Sequence, residues 1–223
     1  MARIVVPGFP HHVTQRGNRQ ADVFKTDGDR EAYLSYLHTY AERRRLSVWA
    51  YCLMTNHVHL IVVPENEESL RETLRDAHTA YAMHFNGRMK QSGHVWQGRF
   101  YSCTLDETHL WEAVRYVECN PVRAGMVNRA EHFRWSSAPA HCDVREPHPV
   151  LSRDFPLEDT IEDWGKWLHE GFDDVSAWDH IRRQTHTGYP CGSKEFLDRL
   201  EHTLGRLVRP NKGGRPRKNR SAQ

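Results

Sequence analysis

Ser47-Val48-Trp49-Ala50-Tyr51-Cys52-Leu53 and His57-Val58-His59-Leu60-Ile61-Val62-Val63 are two β-prone runs separated by Met54-Thr55-Asn56. Both are rich in β-branched and aromatic residues and too short for helices, and a three-residue connection suits a hairpin. Pro64 ends the second run, since it offers no ladder donor. Side chains alternate along a strand, so His57 and His59 share one face while Val58 takes the other, toward the core. Two imidazoles on one face can reach a single metal ion. A pair of half-buried histidines hydrogen-bonded to their neighbours fits the same residues.

Working outward, His12-Val13-Thr14-Gln15-Arg16 is a further β-prone run, stopped by the turn pair Gly17-Asn18. Asp29 is expected to open a helix with Tyr33, Leu34, Leu37, Tyr40 and Ala41 on its apolar face. Downstream, Ser69-Leu70-Arg71-Glu72 has capping-box spacing, and Leu70, Leu74, Ala77 and Tyr81 follow on one side before Asn86-Gly87. Arg99 to Leu105 reads as a fourth strand. Asp106 caps a third helix with the stripe Leu110, Ala113, Val114 and Val117, and Pro121 stops it. The order is β-α-β-β-α-β-α. Its first six elements make a ferredoxin-like split βαβ unit, an α+β fold in which an antiparallel sheet carries its helices on one face.

Pro147-His148-Pro149 marks the end of this core, expected over residues 1–145. Residues 146–207 form a small helical appendage anchored by Trp164, Trp167, Leu168 and Trp178, with Ser193 capping a last helix. Residues 208–223 are a basic tail, expected to be disordered when free. The tail from Arg206 holds seven Lys/Arg and no acid, which leaves 24 basic against 29 acidic side chains in the other 205 residues. Eight of those acids fall in 156–180, opposed by Lys166. A basic tail implies attraction to nucleic acid or another polyanion, and equally serves as a solubilising end. No apolar run approaches the length of a membrane span, and Met1 to Gly8 is too short in apolar residues for a signal peptide. Five scattered cysteines without a C-x-x-C predict reduced thiols and a cytoplasmic protein.

Two further stretches carry chemistry. At 100° per residue Tyr116 lies about 120° from the apolar stripe of its helix, so its own helix gives no packing reason for it. Asn120 follows one turn later on the same side. A reactive tyrosine with an amide beside it, or a solvent-edge tyrosine before a helix-ending Asn-Pro, both suit this. Gly93-His94-Val95-Trp96-Gln97-Gly98-Arg99-Phe100-Tyr101 interleaves aromatics with Arg99 and glycine, as a loop that stacks bases does, although Trp96 and Phe100 also fit a core.

Taken together, Pro10 to Asn18, Ala50 to Leu60, Gly93 to Phe100, Arg115-Tyr116-Val117-Glu118-Cys119-Asn120-Pro121-Val122-Arg123-Ala124-Gly125 and Trp135-Ser136-Ser137 occur in an order that resembles the REP-associated tyrosine transposases. These are single-tyrosine relatives of the IS200-like transposases. The resemblance covers about residues 3–140 and returns at Thr187 to Ser193 and in the Gly-Arg-Pro tail. It implies an HUH core, in which U is a bulky apolar residue, here Val58. His57, His59 and Asn120 would hold Mg²⁺ or Mn²⁺, and Tyr116 would be the nucleophile; some relatives have Gln where Asn120 stands. Two histidines also suit Zn²⁺. The resemblance implies nicking and joining of single-stranded, palindromic hairpin DNA through a 5′-phosphotyrosine. It implies a monomer or homodimer that is nucleoid-associated in a bacterium. Arg16, Trp96, Arg99 and Arg123 are the expected DNA contacts, and Arg215 and Arg217 those of an AT-hook-like tail. An ordinary tyrosine is only ~0.1% ionised at pH 7, a deficit of about 4 kcal/mol, and Glu112, one turn before Tyr116, is a candidate base. Two rivals are a hairpin-binding regulator that does not cleave and a metal-dependent hydrolase that uses the histidine pair differently.

Overall fold

The hairpin forms as expected, with β2 at Leu46–Leu53 paired antiparallel to β3 at His57–Pro64. β1 (His11–Arg16) lies on the other side of β3, and β4 (Tyr101–Thr104) pairs with β1, giving the antiparallel order β2-β3-β1-β4. The computed structural model describes residues 3–156, 161–170 and 175–210. Parts of the acidic stretch and the tail from residue 211, with Arg215 and Arg217, lie outside the described residues.

The register assigns the faces. Thr14 stands opposite His59, Arg16 opposite His57 and His12 opposite Ile61. Cross-strand neighbours share a face, so His12, Thr14, Arg16, His57 and His59 line one side and Val13, Gln15, Val58 and Leu60 the other. α1 (Asp27–Arg44) and α2 (Glu67–Met89) pack together on the Val58 side. Tyr33 lies between them, with its hydroxyl 3.1 Å from His78 Nε2 and its ring 5.4 Å from that of Tyr81. Val13, Val58 and Leu60 are fully buried there. Each such side chain contributes ~1.5–3 kcal/mol relative to exposure.

Both helices begin earlier than the sequence reading places them. Thr26 caps α1 by accepting from Asp29 N, while the Asp29 carboxylate accepts from Thr26 N at 2.8 Å. Asn66 caps α2 by accepting from Glu68 N and Ser69 N, and Ser69 Oγ accepts from Asn66 N in return. Asp29 and Ser69 are therefore the third helical residues of reciprocal capping boxes. The same polar residue types serve at both ends of such a box, so spacing alone does not separate cap from partner. α2 also continues through Asn86-Gly87 to Met89, closing on Lys90 in the left-handed region at φ 51°. The fourth strand is shorter than the expected 99–105 because Arg99 and Phe100 stay outside the ladder.

The remaining helices are α3 (Glu107–Glu118), α4 (Asn120–Arg123), α5 (Ala138–His141), α6 (Trp164–Glu170), α7 (Val175–Thr187) and α8 (Lys194–Leu204). α3 covers β2 and β3 on the histidine side, and α7 completes that layer over β4 and β1. Trp164, Leu168, Trp178 and Ile181 join the same hydrophobic core as the sheet. α8 packs Phe196 and Leu200 on Ile4 and Val6 in a second, smaller cluster. All five cysteines are unpaired. No described helix is long and apolar enough to cross a membrane.

Candidate active site

β3 delivers His57 half-buried and His59 at 5% exposure to the face beneath α3, with their rings 4.9 Å apart. Tyr116 comes down from α3 above them. Its ring meets His59 edge-on at 5.3 Å and His12 edge-on at 5.5 Å. The tyrosine is 5% exposed, against the expectation of a side chain projecting away from the core. A helix wheel assigns α3 a single packing face. In the fold α3 packs on two, the sheet below and α7 beside it, and Trp178 of α7 closes the second. The Arg123 guanidinium lies 5.1 Å from the Tyr116 ring centre and 4.6 Å from that of Trp178.

The hydrogen-bond network fixes which nitrogen each histidine presents. Thr185 of α7 donates its hydroxyl proton to Ile181 O at 2.7 Å, so the same oxygen accepts from His12 Nδ1 at 2.7 Å. That leaves His12 Nε2 as an acceptor, and it receives Nδ1–H of His59 at 3.0 Å. His59 is therefore left with a lone pair on Nε2. His57 donates Nδ1–H to Asn56 Oδ1 at 2.6 Å, which likewise leaves its Nε2 free. Burial, followed by the charge of Arg16, pushes His57 down to about 4. Burial and the neighbouring His57, His12, Arg16 and Arg123 hold His59 well below the usual histidine range. Both rings are neutral at pH 7, as metal ligation requires.

Asn120 opens α4 directly after the break at Cys119 and is 9% exposed. Two neutral imidazole nitrogens on one face are borderline donors that suit Mn²⁺ at least as well as the harder Mg²⁺. Through His59 the pair lies against the Tyr116 ring in a setting from which water is largely shut out.

The expected DNA contacts divide between the two faces. Arg16 is exposed and acts electrostatically on both His57 and His59, and Arg123 sits on the tyrosine. Trp96 lies on the opposite side, where its Nε1 donates to His78 O at 3.1 Å and its ring packs on His78 at 4.8 Å. It forms one wall of a cleft of about 610 Å³ that Arg99 also lines, together with Arg3, Arg71, Arg75 and Phe100. The charge of Glu112 bears on His180 and Cys191.

His12 and Thr185 were not singled out from the sequence. His12 carried a legible signal, because His12-x-Thr14-x-Arg16 alternates polar side chains that must share the histidine face once β1 pairs with β3. Thr185 carried none, being one polar residue in a helix 173 positions away. Gly17 is also required for its smallness. A Cβ there would stand 2.1 Å from Ala21 O, in the turn that follows Arg16.

The family model described as "Transposase IS200 like" matches residues 6–120. A REP-associated tyrosine transposase solved bound to a REP hairpin is similar in fold, with a TM-score of 0.55, 19% identity, and coverage of 72% of this chain and 97% of that one. A candidate transposase from Deinococcus radiodurans R1 gives a TM-score of 0.39 at 17% identity, covering 53% of this chain and 95% of that one. A comparison with curated proteins found no match.

Proposed function

The chain belongs to the IS200-like transposases, and from that premise we propose that it nicks and rejoins single-stranded DNA beside hairpins of the REP type. The observation that carries this reading is the contact of Tyr116 with a histidine whose Nδ1 is already committed, which leaves its Nε2 lone pair available to a metal. His57 Nε2, His59 Nε2 and the Asn120 amide oxygen would hold Mg²⁺ or Mn²⁺, which supplies Lewis-acid stabilisation of the phosphate oxygens.

The protein's own groups do the rest. The Tyr116 oxygen attacks phosphorus and gives up its proton. The P–O3′ bond breaks, the departing 3′ oxygen takes up a proton, and the 5′ phosphate stays on the tyrosine. A second 3′-OH reverses the step and joins strands without a nucleotide triphosphate. Arg123 and Arg16 bring positive charge to the phosphate from the tyrosine side and the strand side. The cleft bounded by Arg3, Arg71, Arg75 and Arg99, with Trp96 and Phe100, offers backbone neutralisation and stacking to DNA beyond the cleavage site.

The test is covalent trapping on denaturing gels, with end-labelled hairpin DNA and Mn²⁺. The expected result is a protein–DNA adduct in the wild type that is lost in Tyr116→Phe and in His57→Ala. An adduct that survives Tyr116→Phe moves the nucleophile elsewhere, and metal-dependent cleavage without any adduct favours the hydrolase. The regulator reading draws on the 5% exposure of Tyr116. Hairpin binding with no adduct under either metal would establish it.

A further inference from the structure

A second cluster of ligating side chains lies about two turns before Tyr116 along α3, toward the start of that helix. His109 of α3, His180 of α7 and Cys191 of the turn before α8 place one nitrogen or sulfur each within 4.8 Å of one another. The cluster is held in place from behind. Asp106 Oδ1 lies 2.6 Å from His109 Nδ1, while its Oδ2 accepts from Ser193 N at 2.7 Å. The backbone of Cys191 is bonded on both sides, with its N–H to Thr104 O at 2.8 Å and its carbonyl to Asp106 N at 3.1 Å. The turn tolerates no side chain at Gly192, where a Cβ would stand 2.2 Å from the Phe196 ring. Glu112, one helical turn beyond His109, acts electrostatically on both His180 and Cys191.

Two imidazoles and one thiolate are borderline-soft ligands. They match zinc and discriminate against Mg²⁺, which prefers oxygen. A carboxylate behind a ligating histidine is the usual outer partner of such sites, and a metal bound through His109 Nε2 leaves the Asp106 bond intact. We propose that His109, His180 and Cys191 form a structural zinc site, completed by Glu112 or water, that clamps α3 to α7 independently of the metal at the histidine pair. Zinc binding releases the thiol proton to solvent, and no redox change is involved. The two helices it joins are those that bring Tyr116 and Thr185 to the active site. The site would thus hold together the layer in which the His12–His59 network is built.

The experiment measures zinc content after dialysis and the absorption spectrum after Co²⁺ substitution, on the full chain. The expected result is one equivalent of zinc in the wild type and in the His57→Ala/His59→Ala double variant. The cobalt form should show a thiolate-to-cobalt charge-transfer band that disappears in Cys191→Ser. His180→Gln should also lose stoichiometric zinc, with its fold checked by circular dichroism. Asp106→Asn, which keeps a good helix cap, should weaken zinc affinity by about 10- to 100-fold. An unchanged zinc content in Cys191→Ser, or zinc lost only when His57 and His59 are replaced, would overturn the proposal.

Discussion

At the residue scale the decisive device is a tautomer. An imidazole has two nitrogens, and only one arrangement of its proton leaves His59 Nε2 able to ligate. Here that arrangement is set by His12, and His12 is set by Thr185. Thr185→Val removes the acceptor while keeping the shape of the side chain. His12 then loses the partner that holds its proton on Nδ1. The expected outcome is a 10- to 100-fold loss of Mn²⁺ affinity at His57 and His59, read by titration, with little change in the circular dichroism spectrum. The H-x-H pair was legible because strand alternation is local. The role of His12 required knowing which strand pairs with β3, and that of Thr185 required knowing where the last third of the chain packs.

At the element scale, β1 and α3 each end at a site that cannot be altered cheaply. Gly17→Ala would force a methyl carbon onto the Ala21 carbonyl just after Arg16. A loss of about 1–3 kcal/mol is expected, measured by urea unfolding, together with a displaced Arg16. At the end of α3, Glu118 is fully buried and is bonded by the Ser137 hydroxyl and by Trp164 Nε1 at 2.7 Å. His141 Nδ1 lies 2.6 Å from the same carboxylate. Glu118→Ala strands the Ser137 and Trp164 donors without an acceptor and should cost ~3–5 kcal/mol. Glu118→Gln retains an acceptor oxygen and should cost less, which distinguishes loss of the network from loss of the charge. The stripe of α3 was readable from sequence spacing, and so was its cap at Asp106. The burial of Tyr116 was not, since amphipathic analysis treats a helix as having one inner face and α3 has two.

At the scale of the whole molecule, the stability is set to fail in acid. Burial pushes His78 down to about 3, and it pushes His11 down to about 4 against the opposing bond to the Phe9 carbonyl. In the unfolded chain both return to an ordinary value near 6.5. Between those limits the unfolded state binds more protons than the native state, so folding stability rises with pH. The contribution is complete above about pH 6.5 and is lost as the pH falls toward about 4 for His11 and about 3 for His78, at ~1.4 kcal/mol per pH unit for each. Urea midpoints at pH 7 and pH 5 measure this directly. His78→Gln should flatten the dependence by about one proton. An unchanged slope would mean that His78 is already protonated in the native state.

The bond between His12 and Thr185 also imposes an order in time. Translation delivers His57, His59 and Tyr116 before it reaches Thr185, and at roughly 5–20 residues per second the interval from the tyrosine onward lasts about 3–14 s. During that interval a growing chain possesses every expected reactive side chain, yet His12 lacks the partner that fixes its proton. On the proposed function, competence to cut would be acquired late in synthesis, after the sheet and the tyrosine helix exist. That order would keep an emerging polypeptide from attacking nucleic acid close to the ribosome that makes it.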